Sequence, residues 1–328
     1  MKRCFTAGLA LVTAIALFAG VASAAKVKRP GDLKYPKMEL KTPDYAELQL
    51  NNGMTGFIIE DHEVPVVYIS MLVGTGRPPA DKVGLSELAA WTIRNGGGAA
   101  WPADRINEEL EFVDAYVEFG RGGGRGMMGR GGPSFGDDRS MSVSVNCLKK
   151  DLGLCLEILG DLLTSPLLPE DKIELRRQTM LENIRRENDE PRSVASREFS
   201  KLVYGDHPMA WEPTTETVTG ITRDDIVAFH QKYFHPGNAI IGVAGDVTRD
   251  EIIALLNEAL AEWPQAEVEI EPEPPLQLRF DPSVNYVYKD IDQGVILIGH
   301  LGLNSRDPER PAVQIMNFIL GGGSFTSR

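Results

Sequence analysis

The chain of 328 residues contains five histidines, and no two of them have the spacing of metal ligands. His230 and His235 are five apart, so on a helix they point away from each other. His62 falls in a predicted turn, His207 precedes Pro208, and His300 stands alone. Zinc-assisted hydrolysis needs three protein ligands and one open position, which these histidines do not supply. A Gly-x-Ser-x-Gly elbow for a serine nucleophile is missing, and so is a phosphate loop. Cys147 ends a predicted strand and Cys155 lies in a predicted helix; a disulfide and two buried thiols both fit the pair. Gly120 to Gly132 holds eight glycines with Arg121, Arg125 and Arg130. An RGG-type nucleic-acid segment is one reading, but three arginines in an acidic chain make a small electrostatic footprint. The patch reads instead as a flexible loop between two strands.

Charge and composition narrow the class. Apolar residues make up 42% and charged residues 25%, enough apolar surface for a sizeable core, which excludes general disorder. The first 24 residues read as a cleaved export signal: Lys2 and Arg3, an apolar run from Ala7 to Val21, then Ala22-Ser23-Ala24. That run is too short and too early for a membrane span. Cleavage after Ala24 is expected, giving a periplasmic or secreted protein. The whole chain carries −13, and losing Lys2 and Arg3 takes it to −15. Such a chain is a poor nucleic-acid binder and has little attraction to anionic lipid.

The elements that must position any chemistry follow from periodicity. After an extended lead (25–43), Asn51-Asn52-Gly53 is a turn signal. Met54–Glu60 and Pro65–Val73 flank Asp61-His62-Glu63 and are expected to pair as a hairpin. Val66 to Val73 is almost continuously apolar, as for a strand covered on both faces. Residues 84–94 form a predicted helix with Leu85, Leu88, Ala89 and Thr92 on one face, ended by Asn95-Gly96-Gly97-Gly98. Further helices are predicted over Pro102–Val113, Leu148–Leu163, Pro169–Asn188, Arg192–Val203 and Asp224–Tyr233. In the helix from Pro169, Ile173, Arg177, Met180, Leu181 and Ile184 stand at helical spacing. Met141, Val143 and Val145 alternate with polar residues as a half-buried strand, and Ala239–Ala244 reads as a buried one. Pro264–Pro275 holds four prolines and four glutamates and reads as an extended linker. Beyond it come predicted strands (Val284–Lys289, Gly294–His300) and a helix (Glu309–Leu320).

This order of elements resembles the insulinase-like (pitrilysin) zinc metallopeptidase family. The matching segments are Asn52-Gly53 leading into Val64-Pro65-Val66-Val67, then Gly84-Leu85-Ser86, and Ser144 to Pro166. Glu187-Asn188-Asp189-Glu190-Pro191, Tyr204-Gly205-Asp206-His207-Pro208, Asp225 to Pro236, Asn238, and Val243-Ala244-Gly245-Asp246-Val247 also match. Ile319-Leu320-Gly321-Gly322-Gly323 with Ser327-Arg328 looks like the family's glycine loop. The resemblance spans residues of about 44 to 328. It implies an α+β fold, an antiparallel sheet packed on helices, in two similar domains: 44–262, then a Pro/Glu-rich linker at 263–275, then 276–328 as the start of a second domain that stops short.

Active members of that family carry His-x-x-Glu-His on the helix after the Gly-Leu-Ser step. Both histidines bind zinc and the glutamate is the general base. Here those positions are Glu87, Leu88, Ala89, Ala90 and Trp91, so both histidines and the base are replaced. The third ligand, a glutamate on the later long helix, falls at Asn183, or at Glu182 with a one-residue slip. The resemblance therefore implies a non-catalytic member that binds no zinc or other cofactor. It would form a heterodimer with a zinc-bearing paralogue and help enclose unfolded or extended peptides, with no nucleic-acid partner and no membrane span. An active zinc endopeptidase with other ligands and a stand-alone peptide-binding scaffold are the competing expectations.

Overall fold

Asn51-Asn52-Gly53 reverses the chain between β1 (Ala46–Gln49) and β2 (Thr55–Glu60), with Gly53 at φ +83°, a conformation that favours glycine. The computed structural model describes residues 43–121, 139–277, 282–304, 306–323, 325 and 327–328. The expected signal segment, all but the last residue of the lead, and residues 122–138 of the Gly/Arg region lie outside it. Residues Tyr45–Arg328 form one compact unit.

The remaining strands are β3 (Val66–Gly74), β4 (Tyr116–Arg121), β5 (Ser140–Leu148) and β6 (Ala239–Gly245). The helices that bear on the site are α1 (Leu85–Gly96), α2 (Ala103–Phe112), α3 (Leu152–Thr164), α4 (Glu170–Arg186), α5 (Pro191–Tyr204), α6 (Thr215–Gly220), α7 (Arg223–Tyr233) and α8 (Arg249–Ala259). Among the described residues the strands make one six-stranded sheet in the order β1-β2-β6-β3-β5-β4. Its ladders are antiparallel except β2 with β6, where Ile58 lies opposite Val243. The α+β class, with a mostly antiparallel sheet packed on helices, is as expected.

The hairpin expected between β2 and β3 is not formed. Both strands exist, but β6 lies between them, parallel to β2 and antiparallel to β3. Gly245 explains why the late strand fits there. Its φ is +131°, and a Cβ on it would stand 2.0 Å from the Val66 carbonyl oxygen. Only a glycine lets the end of β6 lie against the start of β3, where Asp246 N–H donates to that same carbonyl.

β3 also differs from expectation. Val67, Ile69, Met71 and Val73 are buried, whereas Tyr68 is 42% exposed. The helices cover one face, so the strand alternates in burial although its sequence is apolar throughout. β6 behaves likewise, with Ile241 buried and Ile240 exposed. The covered face meets Leu88 and Ile93 of α1, Leu156 and Leu159 of α3, and Ile252 and Leu256 of α8 in one continuous core. The predicted helix from Leu148 starts late, because β5 runs to Leu148 and a short 3-10 turn, Lys149–Asp151, precedes α3. α8 was not expected, although Thr248 and Glu251 form a capping box that marks its start.

Past residue 277, the two expected strands have no strand pairing: 284–289 and 294–300 are irregular. Val284 is 100% and Ile298 94% exposed, and a strand is stabilised only by a partner ladder and a covered face. The helix expected there is present as α9 (Arg310–Asn317), continued by a π-helical turn over Phe318–Gly322.

Candidate functional site

α1 begins at Gly84, whose φ is +107°. A Cβ at Gly84 would lie 3.1 Å from the Met180 methyl of α4 and 3.4 Å from Val218 of α6, so this glycine lets the three helices converge. Leu85, Leu88, Ala89, Thr92 and Ile93 go into the core. Glu87 and Trp91, one turn apart, share the face turned toward α4.

On that face Arg176 of α4 donates through Nη2 to Glu87 Oε1 at 2.7 Å. Its guanidinium carbon lies 5.8 Å from the Trp91 ring centroid, within cation–π range. The pair is part-buried, with the Arg176 side chain 22% and the Glu87 side chain 34% exposed. Ala90 is buried and presents only a methyl group. Asn183 is exposed; seven residues beyond Arg176, it stands about 10 Å further along α4. Glu182 is held along its own helix by Arg186 at 2.6 Å and Arg185 at 3.7 Å. The structure thus brings together Glu87, Trp91 and Arg176, not Asn183 or Glu182.

Arg176 is the residue that sequence reasoning missed. Its signal was a lone cation three residues after the buried Ile173 and four before the buried Met180, a spacing that returns to the packed face. Arg177, which did draw notice, turns to α6, where Nη1 donates to the Val218 carbonyl at 2.5 Å. Beside Glu87 a shallow open cleft is lined by Arg77, Gly84, Ser86, Glu87, Pro208 and Trp211, among others. Arg176 Nε is buried without a partner among the described residues, as are the Ser86 and Thr92 hydroxyls.

The residues present do not fit a zinc ion. At the positions that the resemblance sets for the motif stand a carboxylate already paired with Arg176, a methyl group and an indole, and the Arg176 guanidinium would repel a second cation there. Among the described residues, no three His, Cys, Asp or Glu are grouped to hold a metal.

The histidines are committed elsewhere. His62 Nδ1 lies 2.6 Å from Asp246 Oδ1, and this partner, with Lys149 beyond it, holds the Asp246 carboxyl below its usual value. His207 Nε2 lies 2.9 Å from the Pro274 carbonyl. His230 Nε2 lies 3.0 Å from the Leu163 carbonyl, and burial pushes its pKa down to about 4. Both ring nitrogens of His235 face carbonyls, those of Pro264 and Gln231, each at 2.8 Å. His300 Nδ1 faces the carbonyl of Leu301. Cys147 and Cys155 are buried free thiols. Their mutual hydrogen bond and their burial push the Cys155 thiol well up.

Residues 220–328 match the family model described as the peptidase M16 inactive domain. An uncharacterised zinc protease of Streptomyces coelicolor is 26% identical over 183 residues, covering 54% of this chain and 40% of that protein. One from Rickettsia felis is 26% identical over 281 residues, 84% of this chain and 63% of that protein. A non-peptidase homologue, YmxG of Helicobacter pylori, is 23% identical over 89% of this chain and 64% of its own length. The chain therefore spans between two-fifths and two-thirds of the relatives it matches. Among solved structures, a peptidase M16 inactive domain from Pseudomonas fluorescens superposes with a TM-score of 0.68 at 21% identity, over 87% of this chain and 66% of that one. The first half of the periplasmic protease PqqL from Escherichia coli gives 0.59 at 18% identity, over 72% and 49%. These two show the fold. With the ordered motifs, the sheet and helix architecture and these matches in place, the chain has the fold of peptidase M16 domains and is similar to that family, the insulinase-like group, with residues 220–328 matching its inactive-domain model.

Proposed function

We propose that this inactive M16-type peptidase-like domain works as a non-catalytic wall, helping to hold extended peptide in a chamber shared with a zinc-bearing homologue. One observation supports the reading: an Arg176–Glu87 ion pair beside the Trp91 indole and the buried Ala90 methyl stand where the resemblance sets the family's ligands and general base. A helix face built this way can pack and bind, but it has no group to activate water. The surrounding architecture is that of the peptidase, so the peptide-enclosing shape is the part of the function left to it. Similar proteins support both sides, zinc proteases of Streptomyces coelicolor and Rickettsia felis on one and a non-peptidase homologue of Helicobacter pylori on the other.

The site of action follows from the first 24 residues, whose basic start, apolar run and Ala22-Ser23-Ala24 step support export to the periplasm or beyond. Protein recovered from the periplasm is expected to begin at Ala25; mass spectrometry that finds Met1 retained would overturn this. The mature charge of −15 favours basic peptides over roughly a Debye length, about 8 Å at physiological salt.

The test of function is co-purification of tagged full chain with a zinc-bearing homologue, followed by cleavage of an extended basic peptide. The pair is expected to cut faster than the homologue alone, and the gain is expected to shrink as salt rises. Equal rates with and without this chain at low salt would favour a stand-alone peptide-binding protein. One equivalent of zinc and cleavage by this chain alone would restore the peptidase reading.

A further inference from the structure

The Pro/Glu-rich segment does more than span. After the buried Trp263, whose indole N–H donates to the Phe234 carbonyl at 2.9 Å, residues 264–277 run without helix or strand pairing. Within them Val268, Ile270, Glu273 and Leu276 are half-buried while the residues between are exposed. From Ile270 the half-buried positions recur every third residue, the repeat of a polyproline II helix, which Pro272, Pro274 and Pro275 favour.

Each inward residue of the central stretch has a receiver on the body. Ile270 lies over Gly74 and Gly76 at the end of β3. A Cβ on Gly74 would come within 2.7 Å of Ile270 Cδ1 and 2.8 Å of Asn238 Oδ1, and one on Gly76 within 3.3 Å of Ile270 Cγ2, so the two glycines leave the room in which Ile270 sits. Glu273 Oε1 accepts from Arg77 Nε at 2.6 Å, in a pair whose side chains are only 16% and 28% exposed. The next carbonyl, that of Pro274, faces His207 Nε2. Arg77 also lines the cleft beside Glu87. An extended segment of the chain is therefore already seated on this surface, with one carboxylate, that of Glu273, at the cleft's rim.

We propose that the shelf from Gly74 to Arg77 is a binding surface for an extended peptide that carries an aliphatic side chain three residues before a carboxylate. In the state described, the chain's own Ile270 and Glu273 fill it as a strap. A passive linker would need only to reach. Two glycines that leave room for one aliphatic side chain and a part-buried guanidinium paired with one carboxylate are the parts of a recognition site. Because the strap is tethered, its effective concentration is of order millimolar, so an outside peptide competes only when the strap is weakened. This inference rests on the peptide-holding reading for the ligand's class alone. Its test needs neither a partner subunit nor cleavage, so the two can fail separately.

The probe is a fluorescein-labelled synthetic peptide copying residues 266–277, titrated by anisotropy into the full chain. An Ile270→Ser/Glu273→Gln variant, altered only on the irregular strap, is expected to bind the probe about tenfold more tightly than the parent, because the competing strap is lost. Adding Arg77→Gln to that variant is expected to return binding to the parent's level or below. Limited proteolysis is expected to cut within 266–277 sooner in the strap variant. Equal probe binding by parent and strap variant, or tight binding that ignores Arg77→Gln, would overturn the proposal.

Discussion

Arg176 and Glu87 meet guanidinium to carboxylate at 2.7 Å although 89 residues separate them in the chain. The contact crosses from α4 to α1 on the face where the resemblance to insulinase-like peptidases sets the zinc motif. A cation is still present there, but it is covalently part of the chain and cannot polarise water.

The pair is expected to hold the two helices together modestly. Both side chains keep some solvent, so screening limits the gain. A double-mutant cycle with Arg176→Ala and Glu87→Ala, followed by urea denaturation, is expected to give a coupling of about 0.5–1 kcal/mol. A coupling indistinguishable from zero would mean that the contact is incidental to stability.

Restoring the motif residues is expected to be insufficient for tight zinc binding. With Glu87→His, Ala90→Glu and Trp91→His together, the Arg176 guanidinium still faces the new ligands and repels a dication. Adding Arg176→Glu removes that charge and supplies a carboxylate, and is expected to tighten zinc by tenfold or more. Asn183→Glu, about 10 Å further along the helix, is expected to add little. Calorimetric titration with zinc decides, and the reverse ranking of these two changes would show that Asn183 occupies the third-ligand position.

Acid sensitivity is expected to begin with His230. Its folded pKa, about 4, lies below the ordinary 6.5 because burial disfavours the charged ring. The unfolded chain thus binds more protons between those values, and stability falls as pH drops from about 6.5 toward 4. The loss amounts to about 2–3 kcal/mol at the acid end of that window. His230→Gln is expected to flatten the stability–pH curve over that range. If the parent curve is already flat there, burial of the ring has been overstated.

The thiols are expected to be silent in the folded protein. Cys147 and Cys155 are buried; the Cys155 thiol, pushed up by its hydrogen bond to Cys147 and by burial, offers little thiolate at neutral pH, and Cys147, which the same hydrogen bond lowers, is kept from reagent by its burial. Ellman's reagent is expected to find both only after guanidinium is added. Immediate reaction of the native protein would contradict their burial, and silence even in denaturant would mean that export had joined them as a disulfide.

Much of the fold was legible along the chain. α1 announced itself by apolar spacing and a glycine stop and β5 by its alternation, while Glu87, Ala90 and Trp91 were singled out only through the resemblance to the family's motif. Local signals could not say who pairs with whom. β6 wedges between β2 and β3 because Gly245 permits a close backbone approach that no pattern in 54–73 encodes. The apolar run of β3 could not reveal that the helices cover only one of its faces. The runs at 284–289 and 294–300 have strand composition, yet strand formation is settled by a partner, and among the described residues they have none. Arg176 was invisible as a site residue for the same reason. Apolar spacing along the chain was enough to place α1 and α4 and to put Glu87 and Trp91 on one helix face; tertiary packing alone set Arg176 against them, because an ion pair between helices 89 residues apart exists only once both have docked on the sheet.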